Sequence, residues 1–215
     1  MEEENKPAVK EEIKTDKKTS DNHNKILRNF FIFIGIVILI FAAWIVFSYL
    51  QSTFDYRGVQ FAKVDEIAPY VTSLPVNYGV TGKAVEETAN FNFYFRNDPR
   101  ELDKIPFDGD VTFLKNIVMN STGDIMCKGM GVVGTVNLAN LYGVLGARVV
   151  RDPNVSCDDG GRYTFIQIEA GDETKIKQIG NSCYLLTFKD CEVLQVTERM
   201  MTEMLVKLRE IVPNP

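Results

Sequence analysis

The run FFIFIGIVILIFAAWIVFSYL, from Phe30 to Leu50, holds 21 residues and not one charge. A helix of that length matches a hydrocarbon core about 30 Å thick. Its β-branched residues do not argue against a helix, because lipid offers the backbone no hydrogen-bond partner outside the segment. Trp44 and Tyr49 lie toward one end, where aromatic rings favour the membrane interface. The run exceeds the apolar core of a secretory signal, and no clear A-x-A cleavage site follows it. It reads as a retained single-pass anchor.

Flanking basic residues set its orientation. Lys14, Lys17, Lys18, Lys25 and Arg28 precede the run, whereas Arg57 and Lys63 alone follow it closely. The N-terminus is therefore expected in the cytoplasm and the remainder outside the cell membrane. Residues 1–29 balance seven Lys/Arg against seven Asp/Glu and hold few large apolar groups, the composition of a disordered tail. The expected organisation is a disordered cytoplasmic tail over 1–29, a transmembrane helix over 30–50, a juxtamembrane linker over 51–57 and an extracytoplasmic domain over 58–215. The whole net charge of −5 falls after residue 50. A mildly acidic domain lacks the concentrated Lys and Arg that phosphate binding needs, so nucleic acid is not an expected partner.

All four cysteines, Cys127, Cys157, Cys183 and Cys191, lie in the expected outer domain. An even number there suits two disulfides in an oxidising compartment, and sequence leaves all three pairings open. If CYLLTF is one extended strand, Cys183 and Cys191 are poorly placed to bond, which favours Cys157–Cys183 with Cys127–Cys191 as the other pair. Two sequons, at Asn120 and Asn154, are glycosylation candidates on the same side. The only histidine, His23, falls in the tail. The domain consequently holds no Ser-His-Asp triad, Cys-His dyad or His-ligated metal, and its cysteines form no C-x-x-C pair suited to zinc. No catalytic residue and no metal site is assigned.

Along the domain, Val59 to Val64 reads as a strand. Asp65 can cap a short helix through Ile67 and Val71 that Pro75 ends. NFNFYFRND alternates cleanly, with Phe91, Phe93 and Phe95 on one face of a half-buried strand, closed by a turn at Asn97-Asp98-Pro99. Val111 to Met119 reads as a central strand. The 18 uncharged residues from Gly129 to Gly146 suit a closely packed helix after a glycine turn. ARVVRD adds a strand. Tyr163 to Glu169, Thr174 to Ile179 and Cys183 to Phe188 suggest a meander joined by turns at Ala170-Gly171-Asp172 and Gly180-Asn181. Val196, Met200, Met204, Leu205 and Leu208 recur at helical spacing in an amphipathic C-terminal helix. The fold class is α+β, or a three-layer α/β arrangement: a mixed-sheet domain behind one transmembrane helix.

Three motifs carry possible chemistry. Gly129, Gly131 and Gly134 have G-x-G-x-x-G spacing, and Asp152 follows a strand-like run about 20 positions on, as in a dinucleotide site. The same glycines equally serve close helix packing, which such short spacings favour. Arg96 and Arg100 form a candidate anion grip, weighed against a turn held by a local Arg–Asp pair. The acidic turns at Asp108-Gly-Asp110 and Asp158-Asp159-Gly160-Gly161 suit at most weak calcium binding, and no other cofactor is indicated. Two function classes follow. The favoured one is a membrane-anchored extracytoplasmic binding or assembly module, in contact with the lipid bilayer and a protein partner at its surface. The alternative is a nucleotide- or dinucleotide-dependent enzyme built on segment 129–134, should the domain be cytoplasmic.

Overall fold

A computed structural model describes residues 27–47, 52–64, 67–79, 86–150, 152, 154–158 and 160–212. The chain divides into two compact units, residues 1–51 and 52–215. Within the first, helix α1 spans Leu27–Phe47 and is long and apolar enough to cross a membrane. It begins three residues before the uncharged run, and Ser48 to Leu50 lie outside the described residues, as does the expected tail up to residue 26.

The second unit opens on an antiparallel sheet of four strands in chain order: β1 (Thr53–Tyr56), β2 (Val59–Lys63), β3 (Tyr70–Gly79) and β4 (Glu86–Phe95). Strand alternation puts Phe54, Tyr56, Val59, Phe61, Leu74, Phe93 and Phe95 on one face, with Phe54 opposite Phe61 and Thr72 opposite Phe93. Two expectations change here. The linker expected over 51–57 contains β1, because Phe54 and Tyr56 alternate into this core. The short helix expected after Asp65 is instead the start of β3. Pro69 has no N–H to donate, its carbonyl accepts Val64 N–H at 3.0 Å, and the chain reverses into an antiparallel partner of β2. Pro75 is tolerated because β2 pairs with β3 only at Tyr70 and Val71, so the other side of Pro75 is a sheet edge.

A second, mixed sheet contains β5 (Phe107–Asp108), β6 (Asn116–Thr122), β7 (Arg148–Val150), β8 (Thr164–Ala170), β9 (Lys175–Gly180) and β10 (Cys183–Phe188), in the order β5-β9-β10-β8-β6-β7. Strands β10, β8, β6 and β7 are mutually parallel and β9 opposes β10. The strand expected from Val111 begins only at Asn116. Thr112 N–H donates to Tyr184 Oη at 3.0 Å rather than into a ladder. Nor do β8 and β9 form the expected hairpin, since β10 lies between them. Its side chains Cys183, Tyr184, Leu186 and Phe188 are all buried and need neighbours on both sides, whereas β9 carries Lys175 and Lys177 and sits nearer the edge.

Helix α2 (Met130–Val144) and helix α3 (Val193–Ile211) supply the middle of the unit. Helix α3 packs on β9 and β10 of one sheet, on β2 of the other and on α2. It is buried on nearly every side from Val193 to Val206, and one hydrophobic cluster runs from the inner face of the first sheet through both helices to the second. The domain is α+β. Two disulfides are present: Cys127–Cys191, with Cα atoms 5.3 Å apart, and Cys157–Cys183, with Cα atoms 5.6 Å apart.

Candidate functional site

The parallel strands β6 and β7 are adjacent and joined through α2, a βαβ unit. In open sheets of this kind ligands gather beyond the carboxyl ends of the strands. A groove of about 520 Å³ lies between α2 and the carboxyl-terminal halves of β6 and β7. Met119, Ser121 and Ile168 contribute from β6 and β8, Val132, Thr135, Val136 and Ala139 from α2, and Val149 and Val150 from the edge strand β7. Val132 is 48 % exposed, Val136 49 % and Val149 41 %, so an apolar wall stands open to solvent. Asn120, Thr122 and Gln167 supply neutral polar groups, and Gln167 Nε2 donates to Thr122 Oγ1. Among the described lining residues none carries a charge. The groove's volume suits a small ligand or a short peptide segment.

The glycine motif meets this groove without forming a phosphate cradle. Gly129 adopts φ +92° as the residue before α2, and Gly131 lines the groove. The N–H groups of Gly129 and Gly131 both donate to Met126 O, at 2.7 and 3.3 Å, so the amides that a pyrophosphate would use already have an acceptor. A side chain at Gly131 would strike Ile125 O, and one at Gly134 would strike Thr197 on α3. Both glycines thus serve close packing. Asp152 follows β7, as a ribose-binding acid would, but its Oδ1 accepts Asn154 N–H at 3.0 Å within the turn.

The other candidates are dispersed. Arg100 forks onto Asp98, with Nε 2.9 Å from Oδ1, and lies 4.2 Å over the Phe54 ring centroid. The guanidinium beside it holds the Asp98 carboxyl below its ordinary range. Arg96 directs Nη1 at Met130 Sδ, 3.1 Å away, so the two arginines do not converge on an anion. Asn120 Nδ2, the atom a glycan would take, donates to Asp152 O and Val155 O at 3.1 and 3.0 Å, whereas Asn154 is exposed. In the acidic turns, Asp110 pairs with Lys207 at 3.0 Å. Asp158 is gripped by Arg162, whose guanidinium and N–H hold that carboxyl down at about 2. Asp159 lies outside the described residues, and among those described no cluster of His, Cys, Asp or Glu suits a metal ion.

Two interior charges on α3, Glu198 and Arg199, are not among the candidates that the sequence singles out. Glu198 is wholly buried, and its carboxylate accepts Arg96 N–H at 2.8 Å, Asn97 N–H at 3.0 Å and Asn97 Nδ2 at 2.8 Å. Burial nevertheless pushes its pKa above the ordinary value. Arg199 Nη1 lies 3.0 Å from Asp103 and 2.6 Å from Glu203, its Nε donates to Ile105 O at 3.2 Å, and Arg57 also binds Glu203. The signal available was that Glu198 and Arg199 lie between Val196 and Met200 on a helix apolar on more than one face. Charges within such a stretch must find partners indoors. Compared with known proteins, the chain matches no family model, no curated protein and no solved structure.

Proposed function

We propose that this chain is a membrane-anchored binding module, its folded domain displayed on the extracytoplasmic side and the α2–β7 groove offered to a partner at the membrane surface. One juxtaposition carries it: a helix long and apolar enough to span a bilayer precedes a domain stapled by two disulfides. Disulfides persist in oxidising compartments, and the Lys-rich flank before α1 favours a cytoplasmic N-terminus. A retained anchor would confine the domain to the membrane surface. Such confinement raises the effective concentration of the domain for neighbouring partners. The uncharged groove suits an apolar or neutral amphipathic segment rather than an anion.

Protease treatment of intact cells expressing the full chain with a tag at each end tests this directly. The expected result is removal of the C-terminal tag with the N-terminal tag protected, and cysteines that react with maleimide only after reduction. A protected domain with four free thiols would overturn the reading. The β6–α2–β7 unit supports a second reading, a nucleotide-dependent enzyme, only if a ligand frees the glycine amides and Asp152 from their internal partners. A rise in melting temperature with ATP or NAD would establish that one instead, because a ligand bound to the native state alone must stabilise it.

A further inference from the structure

Each disulfide has one half-buried member, Cys157 or Cys127, and the two bonds differ in the other. Cys183 is fully buried, and Cys157 packs with it among Val118, Val155, Tyr163 and Phe165. A Cβ at Gly180 would sit 2.6 Å from Cys157 Sγ, so the chain closes tightly over that bond. Cys191, by contrast, is exposed and Cys127 half-buried. Their bond ties the segment leading into α2 to the one leading into α3.

Backbone conformation separates the pairs further. Six non-glycine residues among those described have positive φ. Arg57 and Ser182 sit in the tight turns between β1 and β2 and between β9 and β10, where hairpins demand that geometry. The other four are Cys127 (φ 41°), Lys128 (φ 57°), Asp190 (φ 47°) and Cys191 (φ 64°): both half-cystines of the exposed bond and one neighbour of each. Left-handed backbone is unfavourable for residues with a Cβ and persists only where the surroundings impose it. Cys157 and Cys183 show no such feature. Strained or exposed disulfides have more oxidising potentials than shielded ones, and they are the labile or catalytic ones in proteins.

We propose that Cys127–Cys191 is a thiol–disulfide exchange site that accepts two electrons from a thiol substrate, while Cys157–Cys183 is purely structural. A substrate thiolate attacks Sγ of Cys191, the exposed member. The Cys127–Cys191 bond breaks as the mixed disulfide forms, and Cys127 leaves with the electron pair as a thiolate. A second substrate thiolate attacks the substrate sulfur of the mixed disulfide and releases Cys191. Two substrate thiols become one disulfide, and the cysteine pair ends reduced, with the two protons lost by the substrate passing to the cysteines or to solvent. Cys127 lies three residues before α2 and Cys191 two before α3, near the positive ends of two helix dipoles that favour the released thiolates.

The test equilibrates the full chain, in detergent, across glutathione buffers from oxidising to reducing. Acid quenching, alkylation and peptide mass spectrometry then read each cysteine. A parallel arm replaces glutathione with a protein dithiol of the Cys-x-x-Cys kind, and the faster arm identifies the source of the thiol. Cys127 and Cys191 are expected to become reduced together at an equilibrium constant at least tenfold more favourable than Cys157 and Cys183, about 30 mV for a two-electron couple. The variant Lys128→Gly with Asp190→Gly, which removes the cost of the left-handed residues, is expected to narrow that gap severalfold. Both pairs reducing at one potential, or Cys157–Cys183 reducing first, would overturn the proposal. So would a gap unmoved by the glycine variant, since the left-handed residues would then contribute nothing to it.

Discussion

Glu198 accepts hydrogen bonds from three donors at 2.8–3.0 Å and still has its pKa raised, because burial opposes the ionised form more strongly than those donors favour it. Its folded pKa therefore lies above the unfolded one. The folded state holds the proton more tightly, so the associated stability is fully present at acid pH and is lost as pH rises through the folded value. Glu198→Gln imitates the protonated side chain. Its stability relative to the parent should improve as pH rises from 4 to 7, measured by urea unfolding at both values. Parallel pH profiles for the two proteins would remove the explanation. Glu198→Ala should follow the same pH trend but lie about 1–3 kcal/mol below Glu198→Gln, because it leaves Arg96 N–H and Asn97 N–H without their acceptor in a partly buried turn.

Helices α2 and α3 approach closely because Gly134 faces Thr197, whose Oγ1 is already held by Val193 O and Leu194 O at 2.9 Å. Gly134→Ala gains about 1 kcal/mol of helix propensity but overpacks this contact by about 1–3 kcal/mol, so a net loss is expected. Gly143→Ala lies on the same helix with nothing within 4 Å of the new methyl group, so a gain of about 0.5–1 kcal/mol is expected. Thermal denaturation of the two variants decides between packing and propensity, and a stabilised Gly134→Ala would show that α2 and α3 have room to part. Helices and the aromatic strand were legible beforehand, since Phe91, Phe93 and Phe95 and the Met200–Met204 spacing are local periodic signals. Strand β3 was not, because Asp65 and Pro75 imitate helix boundaries, and the pairing that overrides them comes from β2 and β4. The groove was half legible: glycine spacing pointed at Gly131, but the role of Val149 on the edge depends on a strand order that no local pattern carries.

At the scale of the whole chain, the core is closed within residues 52–212 and begins at once. Phe54 stacks on Phe61 with ring centroids 5.7 Å apart, meets Tyr70 edge-on and lies under Arg100, while Tyr56 is 7 % exposed. Sequence alone placed Phe54 and Tyr56 in a linker, because a four-residue strand beside an apolar run has too little periodicity to stand out. Two fragments separate the possibilities. Residues 52–215 should be soluble and should melt in one cooperative transition, since they form one compact unit with its own hydrophobic core. Residues 58–215 lack β1 and Arg57, expose the inner faces of Val59 and Phe61, and leave Glu203 with Arg199 as its remaining close cation. Deleting two core aromatics costs roughly 3–5 kcal/mol apiece, against a total domain stability of about 5–15 kcal/mol. The shorter fragment should therefore lose its near-ultraviolet circular dichroism or melt at least 10 °C lower. Equal melting of the two fragments would return Thr53 to Tyr56 to the linker and detach the start of the domain from its core.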